Sequence, residues 1–247
     1  MKKFLVLILV FVTLSSAEDS FDEEFMDDEF DDFKTEIVTD MDPLSGYNRV
    51  MTSFNDNLYE YAVFPVARGY VYVVPEVVRD SVSNFFDNLK YPVRLINNLL
   101  QLKIVNALEE SSRFLLNSTV GLLGLFDPAE AFFDLKEHDE DFGQTLGYYG
   151  VGGGFHIVLP FFGPSNVRDV GSLFVDWQVD PFFYQSGRSY NILTQSVEQS
   201  IGVKTFEYFN EHSGNIEAYE ALKKGAVDLY PLFKDVYEQR RAKEIAE

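Results

Sequence analysis

The sequence of 247 residues has no cysteine, and this absence excludes several kinds of site. Disulfide bonds, thiolate metal ligands and cysteine nucleophiles all need this residue. The absence also removes the usual acceptor for a lipid anchor near the N-terminus of an exported protein. One domain of roughly 200 residues buries an adequate core without disulfides, so the chain does not need them to fold.

Histidine and basic residues are also scarce. The three histidines, His138, His156 and His212, have no partners at the spacing of a metal site, and residues 138–141 resemble the acidic start of a helix instead. Lysine and arginine together number 20 against 40 acidic residues, for a net charge of −20. Because an acidic chain is repelled by phosphate backbones, we expect no nucleic-acid partner.

The motifs of common enzymes are missing as well. The chain has no Gly-x-Ser-x-Gly elbow, and Ser165 after Pro164 is expected to cap a helix. The glycines of residues 150–154 are not followed by the lysine and hydroxyl residue of a phosphate-binding loop, so a flexible turn explains them better. We therefore predict no catalytic residues, no cofactor and no metal site.

The first 17 residues have the pattern of a signal peptide. Lys2 and Lys3 precede an apolar segment, residues 4–14, and small residues at 15–17 occupy the positions that signal peptidase recognises. The apolar segment is shorter than the roughly 20 residues of a transmembrane helix, and a retained N-terminal anchor is the alternative. We expect an exported protein whose mature chain begins near Glu18.

Residues 18–42 form an acidic segment with thirteen acidic residues and one lysine. Such a run repels itself and is typical of a solvated, disordered segment. Four phenylalanines lie among the carboxylates, so docking to a basic or porin-like partner is the alternative. The sequence thus divides into a signal peptide (1–17), an acidic segment (18–42) and one domain (43–247).

The domain has mainly helical periodicity. Pro75 marks the start of one helix, Pro92 is expected to open the next, and Asp127 with Pro128 predicts the start of a third. Later helices are predicted at residues 165–179, 189–210 and 215–247, with Pro231 kinking or splitting the last. The pattern predicts a single all-α domain of amphipathic helices.

Two short apolar runs, residues 70–74 and 155–159, are strand-like but isolated. Aromatic residues are abundant, with 24 phenylalanines and 14 tyrosines. Aromatic side chains usually fill a core, but on amphipathic helices they also meet lipid, and composition leaves both roles open.

Several long segments resemble the VacJ/MlaA family of outer-membrane phospholipid-transport proteins, from about Asp42 to Asp176 and more loosely to about residue 225. They are YNRVMTSFNDNLYEY, FPVARGYVYVVPEVVRDSVSNFFDNL, PVRLINNLLQ, RFLLNSTVGLLGLFDPA, HDEDFGQTLGYYGVGGG and VLPFFGPSNVRD. The resemblance implies a ring of helices around an amphipathic channel, set in the periplasmic leaflet of the outer membrane. Unlike typical members, the chain has no lipobox cysteine, so we expect no lipid anchor.

The same resemblance implies the function and the partners. Phospholipid misplaced in the outer leaflet would enter the channel and pass to a periplasmic lipid-carrier protein, which delivers it to an inner-membrane ATP-driven lipid transporter. A porin trimer would support the ring in the membrane. A periplasmic hydrolase and a structural surface protein are the rival interpretations.

We place the lipid contacts in residues 152–164, where glycines precede an apolar run. This segment is predicted to form a hairpin at the channel, with an apolar limb against acyl chains and glycines that let it shift. The hairpin residues are Gly152, Gly154, Pro160, Gly163 and Pro164. Arg168, just beyond, is predicted to contact a lipid phosphate, and pairing with a neighbouring carboxylate is the equal alternative.

Overall fold

The computed structural model describes residues 42–183 and 194–247. The predicted signal peptide, the acidic segment up to residue 41 and the first part of the helix predicted at 189–210 lie outside these residues. The N-terminal half contains α1 (Ser45–Leu58), a π-helical turn (Tyr59–Val63), α2 (Phe64–Val73), α3 (Glu76–Leu100), α4 (Ile104–Thr119), α5 (Pro128–Phe133) and α6 (Phe142–Tyr148). The remainder contains β1 (His156–Leu159), β2 (Gly163–Asn166), α7 (Val167–Val179), α8 (Val197–His212), α9 (Ile216–Lys223) and α10 (Leu229–Ala246).

The packing of the helices closes a circuit. Helix α1 packs against α10, α10 against α6, α6 against α3, and α3 against α8. Helix α2, which continues from α1 through the π-helical turn, completes the circuit where Tyr70 Oη donates to Asn210 Oδ1 of α8 at 2.6 Å. The predicted all-α fold and its ring arrangement are confirmed.

Several helix ends are set by local chemistry that the sequence predicts correctly. Asp127 caps α5, where its Oδ1 accepts from Glu130 N at 2.9 Å, and Pro128 occupies the first turn. Asp141 caps α6 and its Oδ1 accepts from Gln144 N at 2.7 Å, so the acidic residues before α6 do mark a helix start.

The sequence predicts Ser165 as the cap of α7, but the residue that caps this helix is Asn166. Asn166 Oδ1 accepts from Asp169 N at 2.8 Å. Ser165 is instead a strand residue, paired with Ile157 across the hairpin. Asn166 is the last residue of β2, opposite His156, and it directly precedes the first helical residue, Val167, so it occupies the capping position.

Two predicted breaks are wrong. Pro92 lies inside α3 and does not open a helix, because the packing of α3 against α4 and α8 outweighs the one hydrogen bond that proline removes. The real break follows Leu100, where Leu102 has φ of +62°. At the C-terminus the helix does split, but at Gly225, with φ of +97°, while Pro231 fits the first turn of α10.

Both strand expectations need correction. Residues 70–74 belong to the end of α2, since strand propensity is weak against helical context, and Val74 N donates to Tyr70 O at 2.8 Å. The run at 155–159 does form a strand, but it is not isolated. β1 pairs antiparallel with β2, and Leu159 lies opposite Gly163.

Candidate functional site

The two long helices α3 and α4 bury their polar faces. The buried side chains include Arg94, Asn97 and Asn98 of α3, and Glu110 and Arg113 of α4. In a water-soluble domain such residues are almost never buried in preference to leucine. The distribution is therefore inverted, with the apolar faces on the outside.

We call the outward apolar surface of this region the apolar belt. Its side chains are at least a third exposed: Ile96, Leu99, Leu100, Leu102, Ile104, Val105, Leu108, Leu115, Val120, Leu122, Leu123, Leu125, Phe126, Phe132 and Phe133. A contiguous apolar surface of this extent indicates contact with lipid or with a partner protein. Among the described residues, no helix is both long and apolar enough to cross a membrane.

Three leucines of the apolar belt adopt a backbone conformation that leucine rarely takes. Leu102, Leu122 and Leu123 have φ of 62°, 53° and 63°. The left-handed region is uncommon for residues other than glycine, asparagine and aspartate. Their side chains project outward at the ends of α3 and α4, where they gain nothing from the protein interior.

Many of the buried polar groups beneath the apolar belt pair with one another. Arg94 Nε donates to Glu110 Oε2 at 2.8 Å, and Glu110 Oε1 accepts from His138 N at 2.6 Å. Gln101 and Lys103 both donate to Glu140, at 2.5 and 2.6 Å. Charged groups buried in this way are tolerated only when paired, so the network fixes α3 and α4 in one arrangement.

His138 is thus part of this network. Its Nε2 lies 2.6 Å from Glu109 Oε2. Across residues 42–183 and 194–247, no group of three or more histidine and acidic side chains is placed to hold a metal ion.

The pKa of Asp176, in α7, is raised above its usual value. Burial and the nearby Asp141 raise the pKa of Asp176 to about 7, although its carboxylate accepts from Phe142 N and Asn97 Nδ2. It connects α7 to the start of α6 and to α3. The interior of the ring therefore contains a carboxyl group that changes charge near neutral pH.

A hairpin is present, but its strands span residues 156–166 and not the predicted 152–164, and two side-chain amides of α1 hold it. Asn48 Oδ1 accepts from Val158 N at 2.8 Å, and its Nδ2 donates to His156 O at 3.1 Å. Asn55 Oδ1 accepts from Phe161 N at 2.7 Å, and its Nδ2 donates to Leu159 O at 2.9 Å. Each amide thus makes the two hydrogen bonds that a neighbouring strand would make.

The spacing of the two asparagines explains the fit. Seven residues of α-helix rise about 10.5 Å, so Asn48 contacts β1, whereas Asn55 contacts its last residue, Leu159, and Phe161 in the turn that follows. Sequence analysis missed Asn48 and Asn55. The sequence does place two asparagines two helical turns apart on α1. That spacing alone does not distinguish a buried contact with a hairpin from an exposed helix face.

A mainly apolar cavity of about 130 Å³ lies beside the hairpin. Gly163 and Pro164 line it, together with Val158 of β1. The other lining residues come from α1, the π-helical turn, α2, α8, α9, α10 and the loop between α8 and α9. They are Thr52, Asn55, Tyr59, Val63, Phe64, Ala67, Tyr208, Phe209, His212, Ser213, Asn215, Ile216, Ala218, Tyr219, Leu222, Phe233, Val236 and Tyr237.

The remaining hairpin candidates lie away from the cavity wall. Pro160 begins the turn, Gly152 precedes β1 and has open space around its Cα, and Gly154 has φ of +75°. A side chain at Gly154 would also press on Val167 Cβ at 3.2 Å. The structure therefore brings two of the five candidates, Gly163 and Pro164, to the cavity.

Arg168 forms a salt bridge with the adjacent Asp169. Its Nε and Nη2 donate to the two carboxylate oxygens of Asp169 at 2.8 and 3.2 Å, and its Nη1 donates to Val151 O at 3.3 Å. Burial acts to raise the pKa of Asp169, but Arg241, Arg168 and Tyr237 hold it at about 2. Arg168 as a lipid-phosphate contact stays a prediction.

Comparison with known proteins gives one consistent result. The family model described as MlaA lipoprotein matches residues 40–244. The intermembrane phospholipid transport system lipoprotein MlaA of Escherichia coli (strain K12) is 32% identical over 203 residues, which are 81% of this chain and 76% of that protein. The protein of the same name from Haemophilus influenzae is 30% identical over 201 residues, covering 80% and 76%.

A more distant relative and a solved structure extend the comparison. An uncharacterised protein of Rickettsia bellii is 26% identical over 242 residues, covering 96% of this chain and 91% of its own. A solved structure, described as "Structural basis for maintenance of bacterial outer membrane lipid asymmetry", superposes with a TM-score of 0.71 and 32% identity. The match covers 83% of this chain and all of that one.

Proposed function

We propose that this chain, which belongs to the MlaA lipoprotein family, is the outer-membrane component of a phospholipid-transport system that maintains lipid asymmetry. It removes misplaced phospholipid from the outer leaflet and passes it to a periplasmic carrier. The observation that carries the proposal is the inverted packing of α3 and α4, with arginine, glutamate and asparagine inside and the apolar belt outside. A protein with that distribution is suited to a lipid exterior and a polar interior.

The energetics of moving a phospholipid favour an amphipathic path. Exposing one methylene to water costs about 0.8 kcal/mol, so an acyl chain of about sixteen carbons costs on the order of 12 kcal/mol. Taking an unpartnered headgroup through hydrocarbon is costly as well. The cavity offers Phe64, Ile216 and Leu222 to acyl chains, and His212 and Ser213 to polar groups.

We propose that the apolar belt holds the ring in the periplasmic leaflet without a lipid anchor. The chain has no cysteine to carry one, and the exposed leucines and phenylalanines supply apolar area in its place. A porin trimer is the proposed support of the ring in the membrane, and it would cover part of the same apolar surface.

We propose that the partners, and not catalysis in this chain, set the direction of phospholipid transport. The sequence has no phosphate-binding loop motif, so it offers no route to nucleotide hydrolysis. The periplasmic lipid-carrier protein accepts the phospholipid, and the inner-membrane ATP-driven transporter supplies the energy.

The hairpin is proposed to control passage, since Val158, Gly163 and Pro164 line the cavity. The asparagine contacts hold β1, so movement is expected at the glycine segment that precedes it. Gly152→Leu has open space and should change lipid flux with no loss of folding. Gly171→Leu, in equally open space on α7, is the control, and equal flux in the two variants would argue against this role.

Narrowing the cavity tests the transport function. Leu222 lines the cavity, whereas its neighbour Ala221 is exposed and does not. In a strain that lacks the native protein, Leu222→Trp should fail to restore low outer-leaflet phospholipid, and Ala221→Trp should restore it. The measurement is labelling of surface-exposed phospholipid on intact cells.

Native mass spectrometry of the extracted wild type gives the second arm of this test. Intact phospholipid bound to the protein supports transport. Release of fatty acid from an ester lipid would support a hydrolase instead. Full restoration by Leu222→Trp would contradict a path through the cavity.

A further inference from the structure

Arg79 of α3 stands out among the basic residues. In the part of the chain that the structure describes, every other partly buried lysine or arginine has a carboxylate oxygen within 4 Å, and Arg79 has none. Its Nε is shielded from solvent and has no hydrogen-bond partner among the described residues. A partly buried guanidinium with one unpaired N–H group and no counter-ion can take an anion as its partner.

The guanidinium lies against the loop that joins α8 and α9. Arg79 Nη1 donates to Ser213 Oγ at 3.4 Å, which is longer than a typical N–H···O hydrogen bond and therefore weak. A Cβ added at Gly214 would lie 3.2 Å from the same Nη1, so the loop backbone approaches the arginine closely. Ser213 is itself a wall of the cavity.

The cavity wall is mainly apolar, and Ser213 is one of its few polar points. Arg79 does not line the cavity but donates to the Ser213 hydroxyl. From there the wall continues through Ile216 and Leu222 of α9 to Phe233 of α10. A phosphate beside the arginine and an acyl chain along the apolar wall would match this polarity.

We propose that Arg79 and Ser213 bind the phosphate of a phospholipid whose acyl chain enters the cavity. The inference rests on the proposed transport function and names the site at which the headgroup is held. Arg168 is less suited to this role, because Asp169 already neutralises it on two oxygens. Arginine suits a phosphodiester because its planar fork donates two parallel hydrogen bonds.

Soluble short-chain lipids test the site in the full chain, purified in amphipol. Isothermal titration calorimetry would compare dihexanoyl phosphatidylglycerol with dihexanoylglycerol, which has the same acyl chains and no phosphate. The variants are Arg79→Gln, Arg79→Lys and the control Lys224→Gln. Lys224 is an exposed cation that also has no carboxylate within 4 Å among the described residues.

Arg79→Gln should weaken phosphatidylglycerol binding at least about tenfold, equivalent to about 1.4 kcal/mol, and leave dihexanoylglycerol binding unchanged. Arg79→Lys should fall between the wild type and Arg79→Gln, since it keeps the charge but not the fork. Lys224→Gln should bind both lipids as the wild type does. Unchanged phosphatidylglycerol binding in Arg79→Gln, or an equal loss of both lipids, would overturn the proposal.

Two further outcomes separate this inference from its alternatives. Inorganic phosphate that displaces phosphatidylglycerol at equal concentration would identify a free-anion site and overturn a lipid site. A wild type that binds neither lipid would contradict the transport function itself. Binding of both lipids with no effect of Arg79→Gln would leave transport intact and reject only this site.

Discussion

The three leucines with left-handed backbone offer a sharp test, because membrane binding and folding respond in opposite directions. Leu102, Leu122 and Leu123 are 70%, 61% and 69% exposed, and all three have positive φ. Asparagine tolerates that conformation better than leucine does, and it is polar. The triple variant Leu102→Asn, Leu122→Asn and Leu123→Asn should fold at least as well as the wild type and bind membranes much more weakly.

The magnitude follows from the exposed fractions. Complete burial of a leucine side chain is worth about 1.5–3 kcal/mol, so each of these contributes about 1–2 kcal/mol to insertion and the three together about 3–6 kcal/mol. Since about 1.4 kcal/mol corresponds to a factor of ten, membrane partitioning should fall by about 10² to 10⁴. The free energy of unfolding should stay equal or rise by up to about 1 kcal/mol per site.

Flotation with phospholipid vesicles measures the partitioning, and chemical denaturation in detergent measures the stability. Val227→Asn is the matched control, because Val227 is fully exposed but lies among charged neighbours between α9 and α10, outside the apolar belt. The control should partition as the wild type does.

Two results would refute this reasoning. Unchanged flotation of the triple variant would mean that the apolar belt does not meet lipid. Cooperative unfolding at markedly lower denaturant would mean that the leucines serve the fold.

Two further predictions concern the interior. Asn55→Ala removes the amide that bonds Phe161 N and Leu159 O and should lower stability by about 1–3 kcal/mol in thermal denaturation. Asn57→Ala should change little, because the Asn57 amide donates to Ser53 O of its own helix. Equal melting temperatures of the two variants would contradict a role of Asn55 in holding the hairpin. Because the folded pKa of Asp176 is raised from 3.8 to about 7, the folded state keeps a proton that the unfolded chain releases, so the contribution of Asp176 to stability should fall by a few kcal/mol as pH rises from about 4 to about 7. In urea titrations the stability difference between Asp176→Asn and the wild type should change by that amount over this pH range, and an identical pH dependence in both proteins would reject the shifted pKa.

Local signals in the sequence were sufficient for much of the fold. Asp127 and Asp141 are followed at once by helical patterns, and each does cap a helix, because capping depends on only a few adjacent residues. The end of α3 was not predictable in this way. The apolar spacing continues through residues 101–103, so nothing in the periodicity reveals the turn at Leu102.

The same limit applies to the orientation of the helices. Periodicity separates Leu99 from Asn98 but does not say which of them faces inward, because that depends on whether the surroundings are water or lipid. In the structure Asn98 is fully buried and Leu99 is exposed. Arg79 could not be identified either, since its lack of a carboxylate partner arises only when α3 meets the loop after α8.

The contacts of Asn48 and Asn55 have a consequence for the unassembled protein. A two-stranded sheet ordinarily presents open edges, and unpaired edge groups are templates on which another chain can add a strand. Backbone groups of residues 156, 158 and 159 of β1, and of residue 161 in the turn, bond to these side-chain amides. With these groups bonded, fewer of them are available to a strand of another chain.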